Sequence, residues 1–205
     1  WLMYLLISVV LLSLFVLGGL DLFAAACSMF AVLGTGGFAI SGAGAQIGDS
    51  TYLLWVHIVF MWICATSFSL HWAVITGKPG KLWRNSEWRF FSGTLAISTL
   101  LVCALLWATS DTSFTRALND AAFMVVSTGT STGLPLVDYE RWVPAAQLIL
   151  LLLMFMGGCA GSTAGGMKVV RVQLFLKHTL HSGLHTLHPG AVTAPHLAGR
   201  PVSQQ

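Results

Sequence analysis

Residues 22–38, LFAAACSMFAVLGTGGF, and residues 118–134, LNDAAFMVVSTGTSTGL, decide the fold. Each opens on a short apolar run, 22–33 or 117–127, and ends in a Thr/Gly segment. A helix needs about 20 apolar residues to cross a bilayer, and these runs are little more than half that. Taken singly, each reads as either a re-entrant helix or an interfacial helix followed by a turn. A re-entrant helix survives only where protein or a water-filled cavity surrounds it.

The two stretches are in register. With Gly37 placed on Gly133, 96 positions on, Leu22 falls on Leu118, Ala25 and Ala26 on Ala121 and Ala122, and Thr35 on Ser131. Longer apolar runs flank both in the same order. Residues 1–20 and 52–76 bracket the first; 90–109 and the run from 143 onward bracket the second. Such self-similarity marks one structural unit used twice. Each unit has two spans, so the two lie parallel.

Hydrophobic residues make up 56% of the 205-residue chain and charged ones 8%. Soluble domains carry about three times that share of charge, so the class is a multi-pass helical membrane protein. Trp1 already lies within an apolar run, without an initiator Met or a charged leader. That predicts a piece of a longer protein rather than a signal peptide. Cys27, Cys64, Cys103 and Cys159 show no CxxC spacing, which predicts packing roles and no disulfide framework or structural metal.

Charge gives the orientation. Lys78, Lys81, Arg84, Arg89, Lys168, Arg171, Lys177 and Arg200 fall on one side of the predicted spans. Asp21, Asp49, Asp111, Asp120, Asp138 and Glu140 fall on the other, and only Glu87 joins the bases. The basic side is cytoplasmic by the positive-inside rule. Both Thr/Gly segments then enter from an acidic outer face that would concentrate cations.

The Thr/Gly segments suit ion binding. A desolvated cation needs a ring of oxygens, which backbone carbonyls supply. Glycine frees the chain to aim them, and Ser or Thr adds hydroxyl oxygen. The preceding short helix points its negative C-terminal end at the site. Gly34, Thr35, Gly36 and Gly37 form one candidate set; Thr130, Ser131, Thr132 and Gly133 form the other. Their neutral chemistry favours a monovalent cation, potassium or sodium, over a divalent one.

A third stretch, MFMGGCAGSTAGGMKVVR at 154–171, interrupts the last apolar run. Gly157, Gly158, Gly161, Gly165 and Gly166, with Ser162 and Thr163, lower helix stability by roughly 1 kcal/mol per glycine. The spacing to Lys168 is not that of a phosphate-binding loop. Two readings stand: an unwound loop lining a cavity, and a GxxxG helix face that dimerises through Gly157, Gly161 and Gly165. Lys168 is expected near the cytoplasmic interface, because mid-bilayer it would cost about 2.5–3.5 kcal/mol.

GGCAGSTAGGMKVVR resembles the signature of the third repeat of Trk-type potassium uptake proteins, the Trk/Ktr/HKT superfamily. STGTSTGL resembles that repeat's filter, and GTGGF the filter of the second repeat. SFSLHWAVITG, SEWRFF and HPGAV are similar to the segments that join the second, third and fourth repeats. The resemblance covers essentially the whole chain. It implies an all-α membrane protein: two helix–pore-loop–helix repeats of a four-repeat, potassium-channel-like fold, with a broken final helix.

The second repeat would be residues 1–76, a cytoplasmic loop 77–89, the third repeat 90–188 and a cytoplasmic linker 189–205. Residues 157–166 would be a gate loop below the filter, with Lys168 at its base. The resemblance further implies a homodimer, a cytoplasmic nucleotide-binding regulatory subunit, and a bacterial inner-membrane location. Gly34 departs from the family, which usually has Ser or Thr there. The first and fourth repeats are missing, so this chain would supply half a filter. No cofactor and no nucleic acid enter the reading; potassium is the transported substrate, by channel-like flux or symport.

Other features carry less. His178, His181, His185 and His188 are spaced to share a helix face; a connector or docking surface is favoured there over a metal site. The tryptophans mostly fall near span ends, as interfacial anchors do. No Ser/His/Asp set, Cys/His pair or acidic cluster shares one depth, so an enzyme is not expected.

Overall fold

The structure is a computed structural model, and it describes residues 1–39, 47–109, 112–187, 196–197 and 200–201. Asp111, His188 and most of the predicted linker 189–205 lie outside the described residues. The first unit comprises α1 (Leu2–Leu17), α2 (Leu22–Leu33), α3 (Thr51–Cys64) and α4 (Phe68–Ile75). A short α5 (Gly80–Arg84) leads to the second unit: α6 (Ser86–Thr109), α7 (Phe114–Gly129), α8 (Pro144–Met154) and α9 (Val169–Leu187). His196–Leu197 pairs antiparallel with Arg200–Pro201 beyond them.

Local chemistry sets the helix starts. Asp21 accepts from the Phe23 N–H at 3.2 Å, Ser50 from Leu53 and Asn85 from Trp88, each satisfying a donor that the first turn leaves free. Pro144 opens α8, where its missing N–H costs nothing. Hydroxyls within the helices bond back to carbonyls four residues earlier, as Ser8 does to Tyr4 and Thr94 to Phe90. That satisfies them without water.

The units share one packing plan. α1 touches α2 and α3, and α2 touches α3; α6 touches α7 and α8, and α7 touches α8. They meet where α3 packs on α7. Every residue from Ala121 to Thr130 is buried, so the C-terminal half of the second short helix is enclosed on all sides. Gly129 permits this: a Cβ there would come within 2.5 Å of Leu95 Cδ2 on α6. Cys64, Cys103 and Cys159 are buried free thiols, as their apolar settings predict, and Cys27 is half-buried.

Two expectations need correction. The run 52–76 is not one continuous helix: α3 and α4 are turned 101° apart across residues 65–67. The carbonyls freed by this break accept hydrogen bonds from the glycine-rich loop, described below. Among the described residues only Ser86–Thr109 is by itself long and apolar enough to cross a membrane. The second short helix is longer than the predicted 117–127, running from Phe114 to Gly129. The tryptophans differ in exposure. Trp83 is 67% exposed, but Trp88 is 6% exposed, packed between Trp83 and Trp62 at ring separations of 5.1 and 5.8 Å.

Candidate functional site

The two Thr/Gly segments have the same backbone. Thr35 and Gly37 have φ of 46° and 66°; Ser131 and Gly133, their counterparts 96 positions on, have 58° and 69°. The hydrogen bonds correspond as well. Gly34 N–H donates to the Phe30 carbonyl, Thr35 to Val32 and Gly36 to Ala31; Thr130 donates to Val126, Ser131 to Thr128 and Thr132 to Ser127. Each short helix therefore ends by turning its last carbonyls onto the start of its loop. Left-handed backbone at Thr35 and Ser131, which are not glycines, costs roughly 1–2 kcal/mol apiece. Strain of that kind concentrates at functional sites.

The loops lie against each other. A Cβ on Gly37 would fall on the Thr132 carbonyl oxygen, closer than real Cβ atoms come. Glycine is thus required there by φ and by contact together. Near Gly133 a Cβ would meet nothing within 4 Å.

The hydroxyls of the two loops have different surroundings. Thr130 and Thr132 are buried, with their Oγ1 atoms 2.8 Å apart. The two hydroxyls hydrogen-bond each other and so tie the two ends of the second loop's turn together. Thr35 Oγ1 donates to the Gly34 carbonyl at 2.8 Å and also lies 3.3 Å from the Thr163 carbonyl. Ser131 Oγ is buried without a hydrogen-bond partner among the described residues. It faces Gly166, where an added Cβ would approach it to 3.3 Å. The equivalent residues Thr35 and Ser131 therefore both reach the glycine-rich loop.

That loop, residues 155–168, is not helical. Gly157, Gly161 and Gly165 thus share no helix face, and the GxxxG reading fails. Gly161 and Gly166 have φ of 77° and 68°. Gly157 passes so close to Gly165 that a Cβ on it would strike the Gly165 carbonyl. Gly158 is as crowded, against Ala164 and the Ala65 carbonyl. The loop closes on itself: Gly157 N–H donates to the Met167 carbonyl, Val169 to Gly158, Ser162 Oγ to Cys159, and Lys168 Nζ to Ala164.

The break between α3 and α4 supplies the remaining partners. Cys159 N–H donates to the Ala65 carbonyl at 2.8 Å, and Thr163 N–H and Oγ1 donate to Cys64. Phe68 N–H donates in turn to the Gly161 carbonyl at 3.1 Å. Two interrupted helices thus satisfy each other's backbone, which apolar surroundings demand. The sequence signal for this was faint: residues 65–67 fall on 161–163 at the same offset of 96.

Elsewhere, Asp49, Asp120, Arg116 and Asn119 help line a polar cavity of about 550 Å³ between the starts of α3 and α7. This brings together two acids of the predicted outer face, with a cation among them. His178, His181 and His185 lie along α9. No cluster of three or more metal-ligating side chains occurs among the described residues.

The family model for TrkH, described as a cation transport protein, matches residues 2–205. The chain is 33% identical over 197 residues to the Trk system potassium uptake protein TrkH of Halomonas elongata, covering 95% of this chain and 40% of that one. It is 32% identical over 208 residues to the TrkH of Escherichia coli K12, covering 43% of that protein. The crystal structure of the potassium transporter TrkH from Vibrio parahaemolyticus superposes with a TM-score of 0.90 at 30% identity, over 99% of this chain and 44% of that one. The chain therefore spans less than half the length of the relatives it matches.

Proposed function

The chain belongs to the TrkH family of cation transport proteins, and on that premise we propose that it lines part of a potassium-conducting pore. The observation that carries this reading is the matched pair of Thr/Gly loops, left-handed at Thr35 and Gly37 and again at Ser131 and Gly133. Left-handed residues at every second position turn successive peptide planes alike, so that carbonyls can face one axis and replace the water around an ion. Gly34 to Gly37 and Thr130 to Gly133 are then two quarters of a selectivity filter. The names of the relatives, potassium uptake proteins, favour potassium as the ion.

The loop 157–166 is the gate. It meets Thr35 and Ser131 from one side of the filter, and its glycines permit rearrangement. Lys168 holds it by bonding Ala164. Ser131 Oγ, without a hydrogen-bond partner among the described residues, is free to accept a passing ion. A pore with fourfold lining needs two more repeats, and the family expectation of a dimer with a nucleotide-binding regulator belongs to that assembly. The location is the bacterial inner membrane. The protein is not an enzyme, since its family is one of cation transporters.

Growth rescue of a potassium-uptake-deficient bacterium at low potassium tests the reading. A version completed by first and fourth repeats should rescue, and this chain alone should not. Rescue by neither, with both found in the membrane, would sink the proposal for this sequence. Rescue by the short chain would show that two copies suffice to build a pore.

A further inference from the structure

We propose that Glu87 is the latch of the glycine-rich loop, and that the first turn of α6 is the fixed point from which the loop is held. Glu87 Oε1 accepts from the Ala160 N–H at 2.7 Å, across 73 positions of sequence. The residue before it holds the far end of the same segment: the Ser86 carbonyl accepts from Gln173 Nε2 of α9 at 3.0 Å. Gln173 is buried. Two consecutive residues thus grip both the loop and the helix that follows it.

The position suits a latch. The neighbours of Ala160 bond to backbone, Cys159 to Ala65 and Gly161 to Phe68. Of the three, only Ala160 is held by a side chain from outside the loop, which can let go by a rotamer change. The bond is charge-assisted and so stronger than a neutral one. Ala160 is exposed, so water can take over the donor when the carboxylate leaves. A negative side chain is favoured in the first turn of a helix, and Asn85 caps that turn by accepting from Trp88 at 2.9 Å. Glu87 is also the only acid among the bases of the predicted cytoplasmic side.

This inference rests on the pore reading for its consequence, but the latch has its own readout. The full-length transporter carrying this segment, in lipid nanodiscs, is compared as the parent, E87A, E87D and E87Q. Amide exchange of the peptide spanning 157–168 is followed by mass spectrometry, and potassium efflux is measured from liposomes. E87A and the shorter E87D should exchange at least threefold faster in that peptide. E87Q, which keeps an acceptor oxygen at the same reach, should stay within twofold of the parent. Resting efflux should rise in the same order.

Unchanged exchange in E87A, or equal loosening in E87Q, overturns the latch. Should E87A not fold, E87D against E87Q makes the same comparison. Loosening as expected with no efflux from any version supports the latch and rejects the pore. Efflux from the parent with no loosening does the reverse.

Discussion

The Thr35 hydroxyl lies 3.3 Å from the Thr163 carbonyl, across 128 positions of sequence, and joins the first Thr/Gly loop to the glycine-rich loop. Among the described residues no other side-chain hydrogen bond links the two directly. T35S keeps the hydroxyl and T35V removes it at similar volume. In the completed transporter T35S should retain potassium-over-sodium selectivity measured by competing ion uptake. T35V should lose severalfold of it. Equal selectivity in both would show that the hydroxyl is incidental.

Gly37 and Gly133 look interchangeable in sequence but not in space. Both have left-handed backbone, which costs an L side chain roughly 1–2 kcal/mol. Only Gly37 also abuts a carbonyl, that of Thr132. G133A should therefore destabilise by about 1 kcal/mol, and G37A by about 3 kcal/mol once overpacking is added. Thermal unfolding in detergent would rank them, and equal losses would contradict the loop contact.

The glycine-rich loop makes a similar distinction. A Cβ on Gly157 strikes the Gly165 carbonyl, whereas one on Gly165 meets nothing nearer than Ser131 Cβ at 3.9 Å. G157A should lower the unfolding temperature by several degrees and disrupt ion uptake. G165A should be nearly neutral in stability, within about 0.5 kcal/mol. Cross-linking should show any dimer intact in both variants. Loss of the dimer in G165A would revive a packing role for these glycines.

Ser131 Oγ is buried and unpaired among the described residues, so the fold gains nothing from it. Removing such a group is neutral or stabilising, because its desolvation went uncompensated. S131A should unfold at or above the parent's temperature, yet carry potassium more slowly if the hydroxyl meets the ion. Stability and flux falling together would assign Ser131 to the scaffold instead.

The sequence by itself determined the parts that local chemistry controls. Two short helices, two Thr/Gly loops and the interruption at 157–166 are legible because length, glycine content and the offset of 96 act within a few residues. The left-handed turns follow at Gly37, Gly133, Gly161 and Gly166, where glycine tolerates them. Tertiary structure decided the rest. Nothing in Ala65-Thr66-Ser67 is a helix breaker, and a run of apolar residues on both sides predicts one span. The 101° bend there exists because Cys64 and Ala65 give their carbonyls to Thr163 and Cys159, about a hundred residues away. Likewise the Thr130 and Thr132 hydroxyls turn inward to each other, and Glu87 finds Ala160. In an apolar setting every backbone donor must find an acceptor. Which acceptor it finds is set by what packing brings near, and no local pattern of residues encodes that.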